Sequence, residues 1–89
     1  MIEEKFNVIQ FFGDNTYHTY ADEVDATTAL KAAYQLIHDI GCQTGMIVRV
    51  IITDVGDCTN FEWKFGEGIV YPPEIVEMEK AYGHSLGLR

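Results

Sequence analysis

Positive charge is what this chain has least of. Six Lys and Arg residues stand against fourteen Asp and Glu, and the formal net charge at pH 7 is −8. The six are scattered, whereas binding a phosphate backbone depends on clustered Lys and Arg, so no nucleic-acid partner is expected. Cysteine is scarce as well. Cys42 and Cys58 are too few and too far apart for a disulfide scaffold or a zinc pattern. Both are expected as free thiols. No apolar run approaches the ~20 residues that cross a bilayer, so no membrane partner is expected. The stretch Met1-Ile2-Glu3-Glu4-Lys5 lacks the charged head and apolar body of a signal peptide. Together these absences make the cytoplasm the expected location. There is no low-complexity tract, long-period repeat or internal linker.

What is present is apolar side chain, at 47% of the residues, enough to argue against disorder. Eighty-nine residues leave no room for a second core. The expectation is a single α+β domain over residues 1–83, followed by a flexible C-terminal tail over 84–89.

The first strand is expected from Lys5 to Phe12, with Phe6, Val8 and Phe12 on one face and Asn7, Ile9 and Phe11 on the other. Gly13-Asp14-Asn15 has strong turn chemistry, and Thr16 to Tyr20 reads as the returning strand. A helix follows. Asp25 is its N-cap, and Asp22, Glu23 and Asp25 sit at the positive end of its dipole. Ala26, Ala29, Leu30, Ala33, Ile37 and Ile40 recur at helical spacing, and Gly41 is expected to close the helix.

The stretch from Met46 to Phe65 reads as a hairpin and carries the most information. A two-residue turn at Gly56-Asp57, with positive φ at Gly56, sets Ile52 opposite Phe61, Val50 opposite Trp63 and Val48 opposite Phe65. All six then face one way, so register and hydrophobic pattern agree. Ile47, Arg49, Ile51, Glu62 and Lys64 face the other way. Arg49 falls opposite Lys64, a like-charge pair that Glu62 offsets from the diagonal; alternatively a longer loop shifts the pairing by two and sets Arg49 opposite Glu62. Gly66-Glu67-Gly68 interrupts the second arm, and Ile69-Val70-Tyr71 continues as a short edge. Pro73 then starts a short helix with Ile75, Met78 and Tyr82 on one stripe. The expected fold is an α+β antiparallel sheet of about four strands, in the order β-β-α-β-β. One helix packs on a face, and a short C-terminal helix follows.

Chemistry is thinly represented. Asp54, Asp57, Glu62 and Glu67 cluster in sequence around the hairpin, and a hard divalent cation would need several such oxygens to converge. That makes Asp54, Asp57 and Glu67 the candidate metal ligands of an alternative reading, a small enzyme or a metal- or ligand-binding module. Asp54-Val55-Gly56-Asp57 lacks the rhythm of a calcium loop, however, and turn formation explains both aspartates. His18, His38 and His84 have no ligand spacing between them. Cys58 has Asp57 beside it, which disfavours the thiolate that a nucleophile requires. No serine elbow or phosphate-cradling glycine loop is present. Phe61, Trp63 and Phe65 form an aromatic row that suits core packing better than base stacking, given so few cations. No catalytic residue and no cofactor is expected.

What remains is interaction. One helix covers one face of a sheet, which leaves Ile47, Arg49, Ile51, Glu62 and Lys64 as a candidate interface, joined by Tyr17 and by Ile9 or Phe11, unless the C-terminal helix covers that face within one subunit. A homo-oligomer formed through this face or through an edge strand is expected. The β-β-α-β layout, with Val24-Asp25-Ala26 leading into Ala29-Leu30-Lys31-Ala32-Ala33, resembles HicB-like antitoxin modules over about half of the chain. That resemblance implies an inhibitor acting through a protein partner. The acidity adds a second version, a nucleic-acid mimic that blocks the basic groove of a partner protein. The expected function is therefore a small acidic, non-enzymatic binding or regulatory protein that self-associates.

Overall fold

A computed structural model describes residues 4–76. These form β1 (Phe6–Phe12), β2 (Tyr17–Val24), α1 (Ala26–Ile37), α2 (Ile40–Gln43), β3 (Ile47–Asp54), β4 (Thr59–Lys64) and β5 (Gly68–Tyr71). A further helical turn begins at 73–76, as the prolines predict, and Ile75 and Val76 pack against the core. Met78, Tyr82, His84 and the tail over 84–89 lie outside the described residues.

The protein is α+β, with one antiparallel sheet in the order β2-β1-β3-β4-β5. Five strands form, consistent with the expected sheet of about four, with the short edge Gly68–Tyr71 paired to β4. α1 carries the chain from the edge strand β2 to the central β3, passing β1, so consecutive elements form a split β-α-β unit.

Capping decides where the helices begin and end. Asp25 Oδ1 accepts the Thr28 N–H at 2.7 Å and opens α1 as expected. α1 stops at Ile37, four residues before Gly41. Asp39 intervenes: its Oδ1 accepts the Ile40 N–H at 3.0 Å and caps the separate short α2. Ile40 therefore leaves the apolar stripe and is 74% exposed, while Leu36 takes a buried place instead. Gly41 serves close approach rather than termination. A Cβ there would lie 2.9 Å from Ile47 Cδ1.

Two hairpins close in the same way. Phe12 donates to Thr16 O at 2.9 Å and accepts from Asn15 at 3.1 Å; Asp54 donates to Cys58 O at 3.1 Å and accepts from Asp57 at 3.0 Å. Each is a three-residue loop whose last residue is left-handed, Asn15 at φ 73° and Asp57 at φ 62°. The expected positive φ at Gly56 is thus replaced by one at Asp57. The extra loop residue is absorbed by a bulge between Ile52 and Thr53. The pairs Ile52 with Phe61, Val50 with Trp63 and Arg49 with Lys64 form as read from the sequence.

The core lies on one face of the sheet. Val8, Val50, Ile52, Phe61, Trp63 and Ile69 pack beneath Ala29, Ala33, Leu36 and Ile37. Small alanines bring the helix close, and Tyr34 sets its ring 6.0 Å from that of Phe61. Phe65 is not part of this core. β4 ends at Lys64, where Glu67 N–H bonds back to Lys64 O at 3.0 Å, so Phe65 falls in a turn and is 47% exposed. Its ring lies over Gly45 instead, at φ 87°, where a Cβ would meet Phe65 Cζ at 3.0 Å.

Candidate interaction surface

Ile47 corrects the expected face. β1 and β3 pair Phe11 with Arg49 and then Phe12 with Ile47, so Val48 is an extra residue on the β3 side. Skipping one residue resets the alternation that assigns side chains to faces. Ile47 therefore turns toward the helices, joins the core and is 6% exposed. Arg49, Ile51, Glu62 and Lys64 stay on the reverse face, as their register positions dictate.

That face lies opposite the helical layer. Its central row runs across four strands. Tyr17 on β2 and Phe11 on β1 place their rings 5.8 Å apart at 41°. The Arg49 guanidinium on β3 lies 5.0 Å from the Phe11 ring centroid. Its Nε donates to Glu62 Oε2 on β4 at 2.6 Å. The Arg49 side chain is 38% exposed and Glu62 is 17% exposed, so this pair contributes under about 1 kcal/mol to stability. The stack of cation on ring adds on the order of 0.5–1 kcal/mol. The next row holds Thr19, Ile9, Ile51 and Glu62 in register. Ile51 is buried at 6% exposure although it is not in the core cluster, so apolar surface is present on both sides of β3.

The molecule is thin along one axis, 18 Å, against 38 and 33 Å along the others. Layers of secondary structure stack about 10 Å apart, and an 18 Å thickness matches a sheet and one helical layer, which is what the described residues supply. Among the described residues, both helices lie on the core side.

Acidic residues sit at the ends of the sheet. Asp54 Oδ1 accepts the N–H groups of Gly56 at 2.9 Å and Cys58 at 3.1 Å, and its Oδ2 accepts Asn60 Nδ2 at 3.2 Å. These bonds, first that from Cys58, then those from Asn60 and Gly56, hold its carboxyl below the usual 3.8. Glu67 occupies the turn at the other end of β4, six residues and about 20 Å of strand away. Glu62 is paired with Arg49. Asp54, Asp57 and Glu67 are therefore not brought together, and no group of three or more ligating side chains forms among the described residues.

The remaining candidates are also placed. Gln10 Nε2 and His18 Nδ1 lie 3.1 Å apart, on the core side of β1 and β2. His38 Nδ1 bonds to Tyr34 O at 2.7 Å at the end of α1. Both cysteines are free; Cys42 is buried and Cys58 exposed. Burial, and secondarily the Asp39 charge, push the Cys42 thiol up to about 11. Trp63 is in the core. A groove of about 270 Å³ opens beside the start of α1, lined by Phe6, Leu30, Ile52, Phe61 and Ile75 among others.

No helix among the described residues is long and apolar enough to cross a membrane. No family model matches this chain, and no curated protein or solved structure matches it. The functional reading rests on the surface itself.

Proposed function

We propose that this chain is a small non-enzymatic binding module that engages a basic protein partner across the reverse face of its sheet and that also self-associates. One observation carries the reading. A row of aromatic, cationic and acidic side chains, Tyr17, Phe11, Arg49 and Glu62, is ordered across four strands on the face opposite the helices. Interfaces favour this chemistry: Tyr, Phe and Arg are enriched at their centres, with a polar rim around them. Here the rim is acidic. Asp14, Asp57 and Glu67 lie exposed in the turns at the two ends of the sheet. With a net charge of −8, such a rim favours approach by a basic surface and raises its association rate. Two unpaired thiols, one of them exposed, suit a reducing cytoplasm.

Affinity purification from the native cell with three baits tests this reading. The baits are the wild type, Phe11→Asp on the reverse face and Leu30→Asp on the helical side, where Leu30 is 38% exposed at the groove. A partner held by the wild type and by Leu30→Asp but lost from Phe11→Asp is the expected outcome. Retention by Phe11→Asp overturns it. Binding to that partner should weaken as salt is raised toward about 1 M, because rim charges are then screened.

A further inference from the structure

The two edges of the sheet are guarded unequally. β5 is four residues long, starts at Gly68 with φ 82° and runs directly into Pro72-Pro73. Short length, glycine and proline are the devices that keep an edge from pairing. β2 is twice as long, at eight residues, and has no proline or glycine. Its second half is protected by register shifts against β1, by Asp22 and Glu23, and by a left-handed Glu23 at φ 52°. Its first half is not protected. Tyr17, His18 and Thr19 pair with Phe11, Gln10 and Ile9 without a shift, and Tyr17 and Tyr20 are 66% and 44% exposed.

Backbone alternation shows which groups face outward. Phe12 N–H bonds to Thr16 O at 2.9 Å beside the turn. In an antiparallel pair, bonded and non-bonded residues alternate, so His18 is bonded to Gln10, while Tyr17 and Thr19 are non-bonded opposite Phe11 and Ile9. The N–H and C=O groups of Tyr17 and Thr19 therefore point away from the sheet, along the free edge. Thr16 to Tyr20 carries no Asp, Glu, Lys or Arg in a chain of net charge −8.

We propose that a second copy of this chain pairs with the β2 edge, antiparallel, about a two-fold axis at His18. The proposal rests on the reading of the chain as a self-associating binding module. In this register Tyr17 meets Thr19 of the second copy, and Thr19 meets its Tyr17, so each outward N–H faces an outward C=O. Self-pairing is favoured over other occupants by charge. Two bodies of like sign approach best where neither carries charge, and this is the neutral stretch of the edge. Tyr17 and Thr19 lie on the reverse face, so pairing joins two reverse faces into one ten-stranded sheet and brings the two Tyr17-Phe11-Arg49-Glu62 rows to its centre. The interface is small, below the ~1,200 Å² of stable complexes, so the dimer is reversible at micromolar concentrations. It also tightens with salt, as repulsion between acidic bodies is screened, whereas the basic partner's binding weakens.

Sedimentation equilibrium of the full chain tests the proposal, from about 1 to 500 µM, the range of weak association. Thr19→Pro removes one outward N–H without touching the pairing to β1. Tyr17→Lys places a charge on the edge at a side chain that is already 66% exposed. The expected wild-type mass rises from 10.1 kDa toward twice that value, and both variants weaken the dimer at least about tenfold with an unchanged circular dichroism spectrum. If Thr19→Pro alone unfolds, Tyr17→Lys decides. A wild type that stays at 10.1 kDa overturns the proposal, including one whose edge takes up an unrelated extended peptide. A dimer that survives Tyr17→Lys but is lost in Phe11→Asp overturns it too, by placing the contact on the reverse face. Loss of the dimer in Thr19→Pro, outside the Tyr17-Phe11-Arg49-Glu62 row, with the basic partner still captured supports the edge and leaves the proposed function standing.

Discussion

The two faces of β3 are made by the same eight residues and are held by different forces. On the helix side, Val50 and Ile52 are buried beneath Ala29, Ala33 and Leu36, with Phe61 and Trp63 beside them. Apolar area removed from water stabilises that side at roughly 25 cal/mol per Å². On the reverse side, Arg49 is held between the Phe11 ring and the Glu62 carboxylate while still partly exposed. Contacts of that kind contribute little to folding, because water competes for them. Their geometry is nevertheless specific, with a ring, a cation and a carboxylate at fixed spacing. The covered face gives this protein its stability, and the reverse face is the surface proposed to engage a partner.

The sharpest way to break that comparison is to truncate one core ring. Phe61→Ala removes a side chain that is 1% exposed and should cost about 3–5 kcal/mol in urea unfolding. A cost of about 1 kcal/mol or less would mean the core lies elsewhere. Thiol labelling gives the next largest contrast. Cys42, buried with its thiol pushed up to about 11, should react at least about a hundredfold more slowly than exposed Cys58 in the native protein, and the two should converge in denaturant. Equal native rates would open the helical layer. A double-mutant cycle of Arg49→Ala and Glu62→Ala should return a coupling below about 1 kcal/mol in stability. A coupling of about 3 kcal/mol would make the pair a structural strut and remove the distinction between the faces.

The smallest effect is acidic. Asp54 is held below 3.8 in the folded chain by its bonds to Cys58, Asn60 and Gly56. A lowered folded value means that its contribution is present above the unfolded value and is lost as pH falls through the folded one. Thermal unfolding of the wild type should therefore fall more steeply than that of Asp54→Asn between about pH 4 and pH 2. Parallel curves would show that the hairpin turn does not depend on this carboxylate.

Local patterns were legible where local physics decides. Asp25 was readable as a cap because its side chain reaches only three residues ahead, to Thr28. The Ile52–Phe61 and Val50–Trp63 pairs were readable from the hydrophobic pattern although the loop was not, because the bulge between Ile52 and Thr53 absorbs the third loop residue and restores the register. Arg49 and Glu62 were readable together for the same reason. Leu36, Ile40 and Ile47 were not. A helix break at Asp39 displaces Ile40 and admits Leu36, and a single skipped residue at Val48 turns Ile47 from one face to the other. A period-two or period-3.6 pattern carries no mark of one inserted residue. Phe65 misled for a similar reason, since alternation continues in the sequence past the point where the turn begins.

By itself, then, the amino-acid order determined the α+β class, the first cap, the hairpin register and the acidic character, all of which follow from contacts within about ten residues or from composition. Only the tertiary structure decided that β1 lies between β2 and β3. That placement puts Phe11 under the Arg49 guanidinium and beside Tyr17, so it alone assembles the row across the reverse face. The pairing of β1 with β3 spans some forty residues, and no local periodicity encodes which strands become neighbours across such a distance.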